Sequence, residues 1–171
     1  MVSKLQRVAI YDDLLAKRGP VYDEALRDTR WRIDETLRKI DDGKKPLNKT
    51  ECLMTHTSRS SWRTDKEFAE KQETLGYGNA ANMIQRWFTV SKTDCCVICG
   101  SRVKLQRSHI GATRPELIRR AYEPYRARGW VTDGEVHRTY LELHWDDPIA
   151  LQCARCHNEF GEWQKADRVT K

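Results

Sequence analysis

Two cysteine pairs and two histidines carry the clearest chemical signal in this sequence. The pairs are Cys96-Val97-Ile98-Cys99 and Cys153-Ala154-Arg155-Cys156. At C-x-x-C spacing a short turn aims two thiolates at one tetrahedral Zn²⁺. Two pairs supply four sulfur ligands and leave no position open for water, so such a zinc would be structural. Cys95 competes with Cys96 as the partner of Cys99, at a spacing one residue wider. The 53 residues between the pairs exceed the spacing of a simple zinc ribbon. Either one zinc-bound fold holds an insertion, or the pairs are separate and reduced or redox-active. Cys52 stands alone and reads as a small buried hydrophobe. His109 follows Cys99 by ten residues, and His157 directly follows Cys156. A zinc joining the two pairs would hold these imidazoles in a fixed relation.

The run C-x-x-C, then Ser108-His109-Ile110, then the segment from Pro148 to Asn158 (PIALQCARCHN) resembles the HNH endonucleases, in their zinc-bound branch with a ββα-metal site. The likeness covers residues 95–160. It implies that Cys96, Cys99, Cys153 and Cys156 hold a structural zinc. It also implies that His109 is the general base and that His157 is a ligand of a catalytic Mg²⁺ or Mn²⁺. The implied activity is hydrolysis of DNA phosphodiester bonds, with RNA not excluded. A neutral imidazole, titrating near pH 6.5, can take a proton from water, while a divalent cation on the phosphate stabilises the developing charge. Arg102, Lys104, Arg107 and Arg155 lie near the histidines in sequence and are candidates to grip phosphates.

Three positions depart from the family pattern. Ser108 stands where the family often has a metal-binding Asp or His. Pro148 stands where a loop-steadying Asn is usual, with Asp147 and His144 the nearest candidates to replace it. Residues 111–146 form an unusually long insertion between the histidines. The alternative reading is therefore a catalytically inactive zinc module that binds DNA or RNA. A zinc-stapled protein-interaction domain is a third.

The elements that must position these residues are mostly helical. Leu5, Val8, Tyr11 and Leu15 follow a helical period, as do Tyr22, Leu26, Ile33, Leu37 and Ile40, bounded by Pro20 and Gly43. Residues 43–61 read as a loop. Further helices are expected over residues 65–75, with Thr64 as N-cap and Gly76 as stop, and over 80–88. Residues 103–110 suit a strand. Thr113-Arg114-Pro115-Glu116 has a capping-box pattern, opening a helix that kinks at Pro124 and stops near Gly129. Asp133-Gly134 signals a turn, residues 136–145 fit strand or helix equally, and a final helix from Leu151 carries the second cysteine pair. The fold class is thus α+β and mainly helical. A helical region at residues 1–91 precedes an HNH-like module at 92–171 with its insertion at 111–146. The N-terminal helices could serve DNA docking, a homodimer or a protein partner.

Composition narrows the setting. The chain has 171 residues, a net charge of +6 and 39% hydrophobic residues, enough to build a core and too apolar for disorder. No run reaches the roughly 20 apolar residues of a membrane span, and the charged start resembles no secretory or transit signal. An intracellular protein that engages no membrane is expected. The basic excess is local. Residues 101–130 carry a net +6 and residues 131–150 a net −4, so phosphate is expected along the Arg102–Arg107 side, with Asp146 and Asp147 nearer the metal. The more distal arginines read equally as a solvated helix face. The six tryptophans suit a core better than base stacking.

Overall fold

A computed structural model describes residues 2–43, 53–74, 84–85 and 87–169. The fold is α+β and mainly helical, with two small antiparallel sheets. The elements are α1 (Lys4–Leu15), α2 (Pro20–Asp42), β1 (Arg59–Ser61), α3 (Asp65–Thr74), β2 (Leu105–His109), α4 (Arg114–Tyr122), β3 (Trp130–Thr132), α5 (Asp133–Leu143), β4 (Ile149–Cys153) and α6 (Ala154–Val169). A 3₁₀ segment at Glu123–Arg128 joins α4 to β3. None of the described helices is long and apolar enough to cross a membrane.

The N-terminal helices form where the periodicity predicts them. Pro20 opens α2, because its missing N–H costs nothing in a first turn, and Gly43 ends it in the left-handed conformation at φ +59°. In α1 the buried face shares Tyr11 with the predicted one and keeps Leu15 packed against the core, but it is rotated toward Arg7 and Leu14. Tyr11 and Leu14 are buried while Leu5 is 83% exposed. Arg7 joins the buried face because Glu159 of α6 accepts from its Nε at 3.1 Å. Thr64 caps α3 through Glu67 N–H at 3.2 Å. Its expected stop at Gly76, Cys52 and most of the expected helix at 80–88 lie outside the described residues, although Ile84, Gln85 and Trp87 are helical.

The insertion is ordered differently from its sequence reading. Thr113 has the extended backbone of an N-cap, but its side chain makes no capping hydrogen bond. The capping box forms instead at Thr132 and Glu135, so Asp133-Gly134 is the first turn of α5 rather than a loop. Gly134 is needed there because a Cβ would sit 2.6 Å from the Met54 carbonyl oxygen. That close approach brings in β1, a strand the polar sequence of 43–61 concealed, which pairs with β3.

β2 and β4 pair antiparallel, with His109 opposite Ile149 and Leu105 opposite Cys153. Residues 151–153, expected in a helix, complete β4, and α6 begins at Ala154. All five β4 residues are buried. Ile149 and Leu151 join a core with Ile33, Phe88, Leu117 and Tyr140. Ala150 joins a second core with Tyr11, Leu14, Tyr22 and Phe160. The Thr29 hydroxyl of α2 accepts from the Ile149 N–H and donates to its carbonyl, each at 3.2 Å. The N-terminal helices therefore pack directly onto the hairpin that carries the chemical residues.

Candidate functional site

The four cysteine sulfurs of Cys96, Cys99, Cys153 and Cys156 lie within 4.8 Å of one another, with Cys99 and Cys153 at 3.7 Å. Zn–S bonds of about 2.3 Å place tetrahedral sulfurs roughly 3.8 Å apart, so the cluster has the size a zinc requires. Cys95 is exposed and stands outside it. The local backbone explains the convergence. Gly100 turns the chain at φ +73° and donates its N–H to the Cys96 carbonyl at 2.8 Å. Cys96 N–H bonds the Ser101 carbonyl at 2.7 Å, and Val97 N–H bonds the Leu151 carbonyl at 2.9 Å. The knuckle is thereby fastened to β4. The second pair straddles a junction, with Cys153 ending β4 and Cys156 in the first turn of α6.

Burial pushes the Cys96 and Cys156 thiols up. Burial raises Cys99 as well, but hydrogen bonds from the Ser101 backbone and from neighbouring thiols outweigh it and hold Cys99 below its ordinary value. A cation would be needed to keep all four ionised together in so small a volume.

His109 ends β2 and His157 sits in the second turn of α6. Burial pushes the His109 pKa well below the ordinary imidazole value, helped by nearby His144, Arg114 and His157. Burial, then the charge of Arg114, also lowers His157. Both rings are neutral at neutral pH. Nε2 of His109 and Nδ1 of His157 are shut away from solvent with no hydrogen-bond partner. Buried polar nitrogens normally find partners, so each of these two leaves a hydrogen-bond position open.

The loop after His109 is held by Asp147. Its carboxylate accepts from Ala112 N–H at 2.8 Å, Arg120 Nη1 at 2.6 Å and Lys17 Nζ at 3.2 Å. Asp147 thus braces the loop at the position next to Pro148, whose carbonyl accepts from Ile110 N–H at 3.2 Å. With three donors already bound, Asp147 is occupied as a brace. Asp146 is paired with Arg30 at 3.1 Å. Asp147 thus has no free carboxylate oxygen to offer a metal, while the exposed Asp146 is engaged through Oδ1 alone. Ser108 is 3% exposed, and strand alternation turns it to the face opposite His109.

The four basic candidates have separate fates. Arg107 donates to the Phe88 carbonyl at 2.6 Å and the Gln85 carbonyl at 3.2 Å, so its guanidinium ties β2 to those two residues. Arg155 pairs with Glu159 at 2.8 Å. Arg102 and Lys104 are exposed. Elsewhere in the basic block, Arg126 pairs with Asp65 and Arg128 with Glu135.

Sequence reasoning missed the insertion's contribution. Besides the two histidines, Arg114 Nε and His144 Nε2 are buried without partners, and the Tyr140 hydroxyl has the Arg114 side chain as its neighbour. The His109 and His144 rings are 5.4 Å apart, and the charge of Arg114 reaches His109, His157 and Tyr140. The available signal was placement: Arg114 lies only five residues beyond His109. No protein-family model, curated protein or solved structure matches this chain.

Proposed function

We propose that the chain is a zinc-stabilised endonuclease of the HNH type that hydrolyses DNA phosphodiester bonds with Mg²⁺ or Mn²⁺. The observation that carries this reading is the pairing of β2 with β4 and the onward run into α6, with His109 and His157 on either side and the four cysteines at their base. Both histidines keep an enclosed nitrogen without a protein partner.

In this reading the four cysteines hold the zinc that fixes β4 and α6 against the first knuckle. His109, neutral because it is buried, accepts the proton of the attacking water. Asp147 fixes the loop beyond it, and the Gln164 amide donates to the His109 carbonyl at 3.3 Å, tying α6 to the end of β2. His157 would hold the divalent metal, which supplies charge stabilisation at the phosphate. One protein ligand suffices where phosphate oxygens and water complete the shell of Mg²⁺. Exposed Arg102 and Lys104 offer charge to the flanking backbone.

Plasmid nicking with Mg²⁺ or Mn²⁺ tests the reading. Wild type is expected to cleave, and His109→Ala to lose roughly 100-fold or more, the usual contribution of a general base. Equal background cleavage by both, with DNA still bound, would instead support an inactive DNA- or RNA-binding zinc module. The inward-turned Ser108 favours that second reading, because it removes the family's other metal-binding position. An intracellular location and a role for α1 and α2 in partner binding belong to the same proposal.

A further inference from the structure

The insertion at residues 111–146 does more than lengthen the chain between the histidines. We propose that it supplies an anion site, in which Arg114 grips a phosphate group between His109 and His157. The proposal rests on the nuclease reading for the identity of that phosphate, the scissile phosphodiester, and on Arg114 itself for the binding.

Arg114 is the first residue of α4, and the loop leading to it from His109 is clamped by Asp147. Its position relative to the base is therefore fixed. Its Nε is enclosed and bonds to nothing, and among the described residues the guanidinium forms no ion pair. The contrast with its neighbours is informative. Arg107 is spent on carbonyls, Arg120 on Asp147, Arg126 on Asp65 and Arg128 on Glu135. An enclosed guanidinium donor without an acceptor is costly, and an anion is its natural acceptor.

The surroundings favour an anion too. Of the histidines that the Arg114 charge reaches, His109 keeps Nε2 and His157 keeps Nδ1 without a partner, and no unpartnered buried atom among the described residues belongs to a carboxylate. Tyr140 is fully buried, and its hydroxyl has the Arg114 side chain as its neighbour. Asp147, which clamps the loop, already has two cations and a backbone N–H. Arg114 also sits in the first turn of α4, where the helix dipole adds partial positive charge. A tetrahedral oxyanion fits because it offers acceptors to the enclosed Arg114 Nε donor, whereas His144 Nε2, itself an acceptor, takes no part in holding it.

The test uses the zinc-loaded full chain, with inorganic phosphate as the probe and the imidazole resonances of His109 and His157 as the readout. Wild type is expected to show saturable shifts in both rings. Arg114→Ala and the more conservative Arg114→Gln should weaken phosphate binding roughly 10- to 100-fold, the cost of one charge-assisted contact, and Arg114→Lys should recover part of it. Unchanged zinc content and circular dichroism show that the variants fold. In plasmid cleavage Arg114→Ala should fall by a similar factor. Equal phosphate affinity in wild type and both neutral variants overturns the proposal, even if His109→Ala shows that the chain is a nuclease. Conversely, Arg114-dependent phosphate binding in a wild type that never cleaves supports the anion site and sinks the nuclease reading alone.

Discussion

The imidazoles of His109 and His144 face each other at 5.4 Å between centroids, tilted by 49°. His144 is fully buried, and its Nδ1 lies 2.8 Å from the Tyr140 carbonyl. A carbonyl only accepts, so Nδ1 carries the proton and Nε2 presents a lone pair toward the interior. Burial drives the His144 pKa down to about 4. The folded state therefore resists a proton that the unfolded chain accepts near pH 6.5. His144 costs no stability above that pH and removes stability as the pH falls from about 6.5 toward 4. The loss amounts to roughly 3 kcal/mol at the acid end, from the linkage of pKa to free energy. Urea unfolding of wild type and His144→Phe at pH 7.5 and 5 checks this. The variant should lose less stability between the two, and parallel losses would remove His144 from the account.

Asp147 is the brace of the loop that follows His109. Its side chain is 2% exposed, while Arg120 and Lys17 are 42% and 54% exposed. Removing it strands a buried N–H and unpairs two cations that can partly turn to water. Asp147→Ala should cost about 2 kcal/mol, below the roughly 3–5 kcal/mol of a fully buried broken pair because both cations are partly exposed. Asp147→Asn should cost less, because one amide oxygen can still accept from Ala112. Burial raises the Asp147 pKa, but its donors outweigh burial and hold it below the ordinary value. Its contribution should persist as the pH falls to about 4 and disappear only below that. Thermal melts of the three proteins, together with cleavage rates, measure both effects. Cleavage that is unaffected in Asp147→Ala would separate the loop from the chemistry.

The cysteine cluster predicts a stoichiometry. Wild type should carry one zinc per chain, and Cys153→Ser should lose it. Cys95→Ser should keep it, since that thiol is exposed and outside the cluster. Chelation should loosen the second core, because Cys96, Cys153 and Cys156 pack there beside Tyr11 and Phe160. Metal analysis and near-ultraviolet circular dichroism give the answer. Zinc retained by Cys153→Ser would exclude a joint site.

Sequence patterns were informative where one local rule decided the outcome. Pro20 and Gly43 bound α2, and the C-x-x-C spacing places four sulfurs in one cluster. They were less so where distant contacts decided. The polar chain around Arg59 becomes a strand only because Trp130–Thr132 lies beside it. Cys153 falls on a strand because Leu105 pairs with it, although the local sequence suits a helix. Arg107 was a natural phosphate candidate until the Phe88 carbonyl took its Nε. Arg114 and Asp147 have the reverse history. Their roles depend on which neighbours lack or supply partners, and no spacing rule encodes that.

Two glycines should respond oppositely to the same substitution. A Cβ on Gly111 would lie 2.5 Å from Asp147 Oδ1 and 2.8 Å from the Asp147 Cα. The second contact is backbone and cannot swing aside. Gly111→Ala should therefore push the His109 loop away from its brace, destabilising the protein by about 1–3 kcal/mol and lowering cleavage as well. Gly161 lies inside α6, and a Cβ there would meet nothing within 4 Å. Gly161→Ala should stabilise the helix by about 0.5–1 kcal/mol, since alanine loses less backbone freedom on folding. Paired chemical denaturation of the two variants makes the comparison. If Gly111→Ala unfolds at the wild-type midpoint and cleaves at the wild-type rate, the close approach of Asp147 to this loop is not a constraint on the site.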